Sequence, residues 1–179
     1  KKIAGLVAII YMLVLVLCVT MFQGICFGVQ FAFRDEGLLF AEHVTITENE
    51  KLQGMKTNAE TAATLESLTA FMKENGYYGN EALFFGHIPM VSYACEMPCA
   101  VSHTWPSLAS YPTSQYREEL AAVEGKPVVV YEATYYGDLL RKDASEVSSV
   151  KESLLMEFMR ERNYYEVYRN EKYVVCVAQ

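Results

Sequence analysis

Tryptophan occurs once among 179 residues, and cysteine and proline five times each. No C-x-x-C pair stands at a metal-ligand distance from histidines, so no structural zinc is expected. Absent too are G-x-G-x-x-G, the P-loop, G-x-S-x-G and H-E-x-x-H, which removes the familiar dinucleotide, phosphate, hydrolase and metalloprotease signatures and leaves no cofactor implied. Basic residues are the minority, 15 against 22 acidic, for a net charge of −7. A polyanion would meet repulsion, and nucleic acid is excluded as a partner. No internal repeat or low-complexity tract is visible.

Charge is missing altogether from Ile3 to Phe33. The run IAGLVAIIYMLVLVLCVTMF supplies roughly 20 apolar residues, the length that crosses a hydrocarbon core of about 30 Å. Two lysines precede it, as they would in a signal peptide, but it exceeds the usual apolar core of about 7–15 residues. Residues 1–33 are therefore expected to be a transmembrane helix in a lipid bilayer, 34–42 a linker, and 43–179 a globular domain. Lys1 and Lys2 in front, against Arg34-Asp35-Glu36 behind, put the N-terminus in the cytoplasm and the domain outside it. The first residue is not Met, which fits the tail of something longer. Cys18 and Cys26 read as small buried hydrophobes of the span.

The remaining chain alternates strands and helices. His43-Val-Thr-Ile-Thr47 is short and β-branched, a strand. Thr57 and Glu60 have capping-box spacing, and Leu65, Leu68, Phe71 and Met72 line a helix that stops at Asn75-Gly76. Ala82 to Gly86 is a continuous apolar run, as in a strand buried on both faces. Pro89 suits the first turn of a helix to about Met97, before Pro98. After an irregular stretch, a cap near Thr113 or Ser114 opens a helix with Tyr116, Leu120 and Val123, closed by Gly125. Pro127 to Tyr131 reads as another buried strand, and Ser145 to Arg162 as a helix with Val147, Val150, Leu154 and Phe158 on one face. Tyr164–Tyr168 and Lys172–Val177 make an antiparallel hairpin around Asn170-Glu171. The order predicts an α/β sandwich, mainly parallel, with an antiparallel C-terminal hairpin.

Chemistry-bearing residues gather around the second strand and the loop after it: His87, Tyr93, Glu96, His103, Trp105 and Tyr111. Ligands of open α/β sheets bind beyond the carboxyl ends of strands, where Gly86-His87 falls. Aromatic rings there could stack on a sugar while Glu96 accepts from its hydroxyls. The alternative is structural, with Trp105 plugging the core, His87 capping the next helix and Glu96 in water. Glu118-Glu119 reads as a wet helix face, and tyrosine pairs such as Tyr77-Tyr78 and Tyr135-Tyr136 as edge packing. A Cys95–Cys99 disulfide is open to an oxidising compartment, although Pro98 breaks the helix that would bring the pair together.

The stretch FFGHIPMVSYACEMPCAVSHTWPSLASYPTSQYREEL, with Pro89 and Tyr93 in P-x-x-Y, Thr104-Trp105-Pro106, Tyr111 and the later strand VVVY, resembles the C-terminal extracytoplasmic domain of bacterial multi-spanning glycosyltransferases of the protein O-mannosyltransferase-like class. The resemblance implies an upstream set of membrane helices, a polyprenyl-phosphate sugar donor and a glycan or protein acceptor. It transfers no catalytic residue, because the acidic base of that class lies in an early external loop with no counterpart here. The implied role is to shape the donor or acceptor site, so the fragment alone is expected to be inactive. The competing readings are a single-span protein with an external ligand- or protein-binding domain, and an external enzyme built on Glu96 with His87 or His103.

Overall fold

The computed structural model describes residues 2–31, 43–133 and 146–179. The expected linker and the Tyr135-Tyr136 pair fall outside these residues. Helix α1 spans Lys2–Phe31; at about 1.5 Å per residue it is long for a helix of a small domain. Its described side chains include an unbroken run over 9–23, every one exposed. That run is shorter than the roughly 18–20 residues a crossing takes, and among the described residues no helix is long and apolar enough to cross a membrane.

The rest is a mixed α/β fold with two sheets. A two-stranded antiparallel ribbon pairs β1, His43–Thr45, with β2, Lys56–Asn58. This corrects the reading of 43–47 as the first strand of a β-α-β series: the polar turn after it folds back locally and never joins the main sheet. Helix α2 follows, Ala59–Glu74, and its cap is Asn58, the last residue of β2, rather than Thr57. The Asn58 side chain accepts from the Thr61 N–H at 2.7 Å, satisfying one of the donors that a helix start leaves free. At the other end Gly76 supplies the left-handed turn, φ 72°.

The four-stranded sheet runs β3-β4-β6-β5, with β3 Ala82–Phe85, β4 Val128–Glu132, β5 Tyr164–Arg169 and β6 Tyr173–Ala178. Only β3 and β4 are parallel; β4–β6 and β5–β6 are antiparallel. The sheet is therefore mixed, not mainly parallel. The C-terminal hairpin inserts its second strand beside β4 because β6 is apolar on both faces (Val174, Val175 and Cys176 are buried), whereas β5 has only exposed and half-buried residues and suits the edge. Strand β5 carries a bulge between Glu166 and Tyr168. The outer side of β3 is covered by residues 98–100, where Ala82 N–H donates to the Pro98 carbonyl and Ala100 N–H to the Ala82 carbonyl, each at 2.8 Å.

Alternation along the strands divides the core. Ala82, Phe84, Val128, Val130, Tyr173 and Val175 pack with α2 and α3, Pro89–Ala94. Leu83, Phe85, Val129, Tyr131, Val174 and Cys176 pack with α4, Thr113–Ala122, and α5, Glu146–Glu161. Leu65, Leu68 and Met72 of α2 are fully buried, as their spacing predicts. Helix α3 ends before Met97, with Glu96 in a left-handed conformation at φ 51°. Helix α4 begins after Pro112 without a side-chain cap, and ends at Val123, where Arg162 donates to the Val123 and Gly125 carbonyls.

The face of α5 is displaced from expectation. Lys151, Leu155, Phe158 and Met159 are buried, while Val150 is exposed. A lysine in the stripe disguises it, since its stem packs like an aliphatic chain while its head needs a polar end point. On the opposite side of the sheet, buried Asn49 joins the ribbon loop to two helices. Its amide donates to the Thr69 hydroxyl and the Ala94 carbonyl, and its carbonyl oxygen accepts from the Lys51 and Leu52 N–H groups. Asn49→Ala strands partners from three elements and is expected to lower unfolding stability by about 2–4 kcal/mol. Urea unfolding followed by circular dichroism measures it, and a loss under about 0.5 kcal/mol would show the network to be ornamental.

Candidate functional site

The segment between β3 and α4 has little regular structure past α3, so its shape comes from the partners of its polar groups. Two charged side chains fix it. Lys151 of α5 is fully buried, and its ammonium donates to the carbonyls of Pro106 at 2.7 Å, Leu108 at 2.7 Å and Tyr111 at 2.5 Å. Burial draws the amine below its ordinary range; the three carbonyls favour the protonated form and use all of its donors.

Glu119 of α4 does the complementary work. Its Oε2 accepts from the Ser102 N–H at 2.7 Å and the Tyr111 hydroxyl at 2.6 Å, and its Oε1 from the Ser102 hydroxyl at 2.8 Å and the Gln115 amide at 2.7 Å. The reading of Glu118-Glu119 as a wet face holds for Glu118, which is exposed, and fails for Glu119. Burial opposes ionisation of Glu119, but the hydrogen bonds from Tyr111, Ser102 and Gln115 outweigh it and hold the carboxyl at about 2. Burial, then the bond to Glu119, pushes Tyr111 up to about 12.

The six expected site residues divide between two places. His103 stacks on Tyr111 at 5.3 Å between ring centroids, and its Nδ1 accepts from the Trp105 backbone N–H at 3.0 Å. Trp105 meets the His87 ring at 5.1 Å, edge to face. These four share the loop and the carboxyl end of β3. Tyr93 is exposed on α3, and Glu96 lies beyond it. The Glu96 carboxylate is 3.1 Å from the Lys51 ammonium and accepts from the Tyr78 hydroxyl at 3.0 Å. The bonds from Lys51 and Tyr78 lower its pKa. This surface pair ties the end of α3 to the start of the domain, and the partners of Glu96 are Lys51 and Tyr78 rather than the aromatic cluster. Nor does His87 cap α3: the residue in that position is Ile88.

The cysteines are also apart. Cys95 and Cys99 are free. The Cys99 thiol donates to the His103 carbonyl at 3.4 Å, and burial pushes the Cys95 thiol up to about 11. Cys95 is buried in the core under α2 and α3, whereas Cys99 borders both halves of the core and pairs with Ala82.

Sequence reasoning missed Glu132, at the carboxyl end of β4 and 8% exposed. Its Oε2 accepts from the His87 N–H at 2.7 Å. Gly86 makes this approach feasible: its φ is 108°, and an added Cβ would lie 2.6 Å from the Glu132 Cβ. The available signal was a carboxylate ending the apolar run VVVY; it lies across from Gly86, one step past the Phe85–Tyr131 pair. A groove of about 260 Å³ lies elsewhere, between Ala100–Ser102 and Glu119, Ala122 and Val123. Its polar side chains are those already bonded to one another. Among the described residues no three His, Cys, Asp or Glu side chains converge on a metal position.

Fold and site define a mixed α/β domain with an aromatic-lined carboxyl edge and a long N-terminal helix. No protein-family model, curated protein or solved structure matches the chain.

Two outcomes follow for the site. Stability contributed by Glu119 is complete above its ordinary pKa of 4.5 and is lost as pH falls toward about 2. The melting temperature should therefore drop between pH 6 and 3, and drop by less in Glu119→Gln; equal drops would deny Glu119 this role. Gly86→Ala should cost at least about 2 kcal/mol, through left-handed strain and the Glu132 contact, as read by urea unfolding.

Proposed function

We propose that this chain is the membrane-anchored, extracytoplasmic accessory domain of a bacterial glycosyltransferase that draws on a polyprenyl-phosphate sugar, and that it shapes the donor or acceptor site. The observation that carries the anchor is α1. Val7, Ile9, Ile10, Leu13, Val14, Leu15, Val16 and Leu17 are all exposed, covering every side of the helix, and such a surface is at home in lipid rather than water. The uncharged sequence continues through Phe33, so the apolar length exceeds the run over 9–23. The lysines at its start favour a cytoplasmic N-terminus.

The transferase reading rests on the resemblance of residues 84–120 and on an aromatic edge suited to a hydroxylated ring. It assigns the domain a supporting role, with catalysis by upstream membrane helices of the parent polypeptide. The alternative is a single-span protein whose external domain binds a ligand or protein.

Deleting residues 43–179 from the parent polypeptide should abolish sugar transfer from a radiolabelled polyprenyl-phosphate donor in isolated membranes. Protease added to intact spheroplasts should digest the domain. Undiminished transfer after deletion would overturn the accessory role, and a domain digested only after lysis would overturn the topology.

A further inference from the structure

We propose that His103 is a pH-sensitive latch on the turn that carries Trp105, closed while its imidazole is neutral and released when the ring takes up a second proton. The inference is independent of the transferase reading, because it concerns the state of the loop and not its ligand. It stands on one contact. The Trp105 backbone N–H donates to His103 Nδ1 at 3.0 Å, so Nδ1 carries a lone pair and the single ring proton sits on Nε2.

A second proton can only go to Nδ1. It would set a hydrogen on each of two nitrogens that stand 3.0 Å apart, which turns attraction into repulsion and takes the acceptor away from the Trp105 N–H. Flipping the ring does not rescue the contact, since that brings a carbon to the same place. Histidine is the side chain whose charge ordinarily changes between about pH 5 and 8, so an acceptor of this kind is withdrawn without denaturing acid. The chain on either side of the turn is fixed by other bonds: the Cys99 thiol donates to the His103 carbonyl at 3.4 Å, and Lys151 holds the Pro106 carbonyl at 2.7 Å. Release is therefore confined to residues 103–105, and it shifts Trp105 against the His87 ring that it meets at 5.1 Å.

The groups around the ring set the balance between the two states. From α4, the Glu119 carboxylate attracts a positive ring, but its oxygens are committed to Tyr111, Ser102 and Gln115. From α5, the Lys151 ammonium lies 5.4 Å from the centre of the Tyr111 ring on which His103 stacks, and it opposes a second cation there. Tyr111 and Cys99 stay neutral, both pushed up by burial. His87, at the end of β3, faces the Trp105 ring. Among the described residues no carboxylate lies within ion-pair distance of His103, so no salt bridge replaces the bond that protonation removes. The latch would report the pH of whichever compartment the domain occupies.

Trp105 is the sole tryptophan, so labelling with ¹⁵N-tryptophan gives one backbone amide signal, that of the latched N–H itself. The full chain in phosphatidylcholine nanodiscs is followed by NMR from about pH 8 to about pH 5, the span in which histidine changes charge. The Trp105 amide proton should move upfield along a single titration curve. Its protection from hydrogen exchange, corrected for the intrinsic rate, should fall by about five- to tenfold, as the loss of one hydrogen bond predicts. His103→Asn puts a side-chain oxygen in place of Nδ1 and does not titrate, so its Trp105 amide should stay put. His87→Gln should keep the transition, which separates the latch from a ring effect of the neighbouring imidazole. A flat profile in the natural chain, a transition that survives His103→Asn, or one that disappears in His87→Gln overturns the proposal. If His103→Asn does not fold, ¹⁵N-histidine labelling of the natural chain carries the test, with His43→Gln and His87→Gln identifying the His103 signal. His103 should then show a bare Nδ1 at the alkaline end and titrate with the same midpoint as the Trp105 amide; a proton on Nδ1 there, or separate midpoints, overturns it. None of these readouts involves sugar transfer, so failure of the transferase reading leaves them unchanged.

Discussion

A buried ammonium held by three backbone carbonyls is the constraint on which the candidate site depends. Moving such a charge out of water costs several kcal/mol even after relaxation. Lys151 offsets that cost with bonds to Pro106, Leu108 and Tyr111, and each of those carbonyls would itself be expensive to bury unpaired. The interaction thus solves two problems together. An irregular segment, with no ladder of its own, acquires an internal cation around which to wrap, and α5 acquires a register relative to that segment.

Glu119 repeats the arrangement with the opposite sign. Four donors converge on its two oxygens, three of them from Ser102 and Tyr111 at the two ends of the loop. The pair of charges fixes the course of the loop that carries His103, Trp105 and Tyr111. Loops carry binding residues when a rigid scaffold aims them; here the scaffold reaches the loop through α4 and α5, both packed on the same face of the sheet.

Much of the fold is legible in local pattern. The runs ALFF and VVVY say "buried on both faces" because only a covered sheet tolerates continuous apolar residues, and the stripe of α2 repeats at helical spacing without interruption. What depends on long-range pairing is less visible. Tyr173–Ala178 could have ended at an edge or at the centre, and nothing adjacent to it in the chain decides which. Asn58 and Thr57 are both good caps, and the choice follows from where β2 ends, at Asn58 opposite His43. The site was half-legible for the same reason. Aromatic residues clustered in sequence were found, whereas Glu132 reaches His87 from 45 positions away. Glu119 read as a surface charge because Ser102 and Tyr111, which bond it, lie outside its helix, and the three partners of Lys151 are backbone carbonyls, which leave no trace in side-chain identity.

The treatment of the sheet's two borders has a consequence for behaviour at high local density. On one border, residues 98–100 occupy the outer hydrogen-bonding groups of β3. On the other, the bulge at Glu166/Tyr168 breaks the repeat of β5, and the Glu166–Arg169 ion pair at 2.6 Å adds charge to it. Neither border offers a straight, vacant template for a strand from a neighbouring molecule. Copies crowded side by side in two dimensions would collide without polymerising through their backbones.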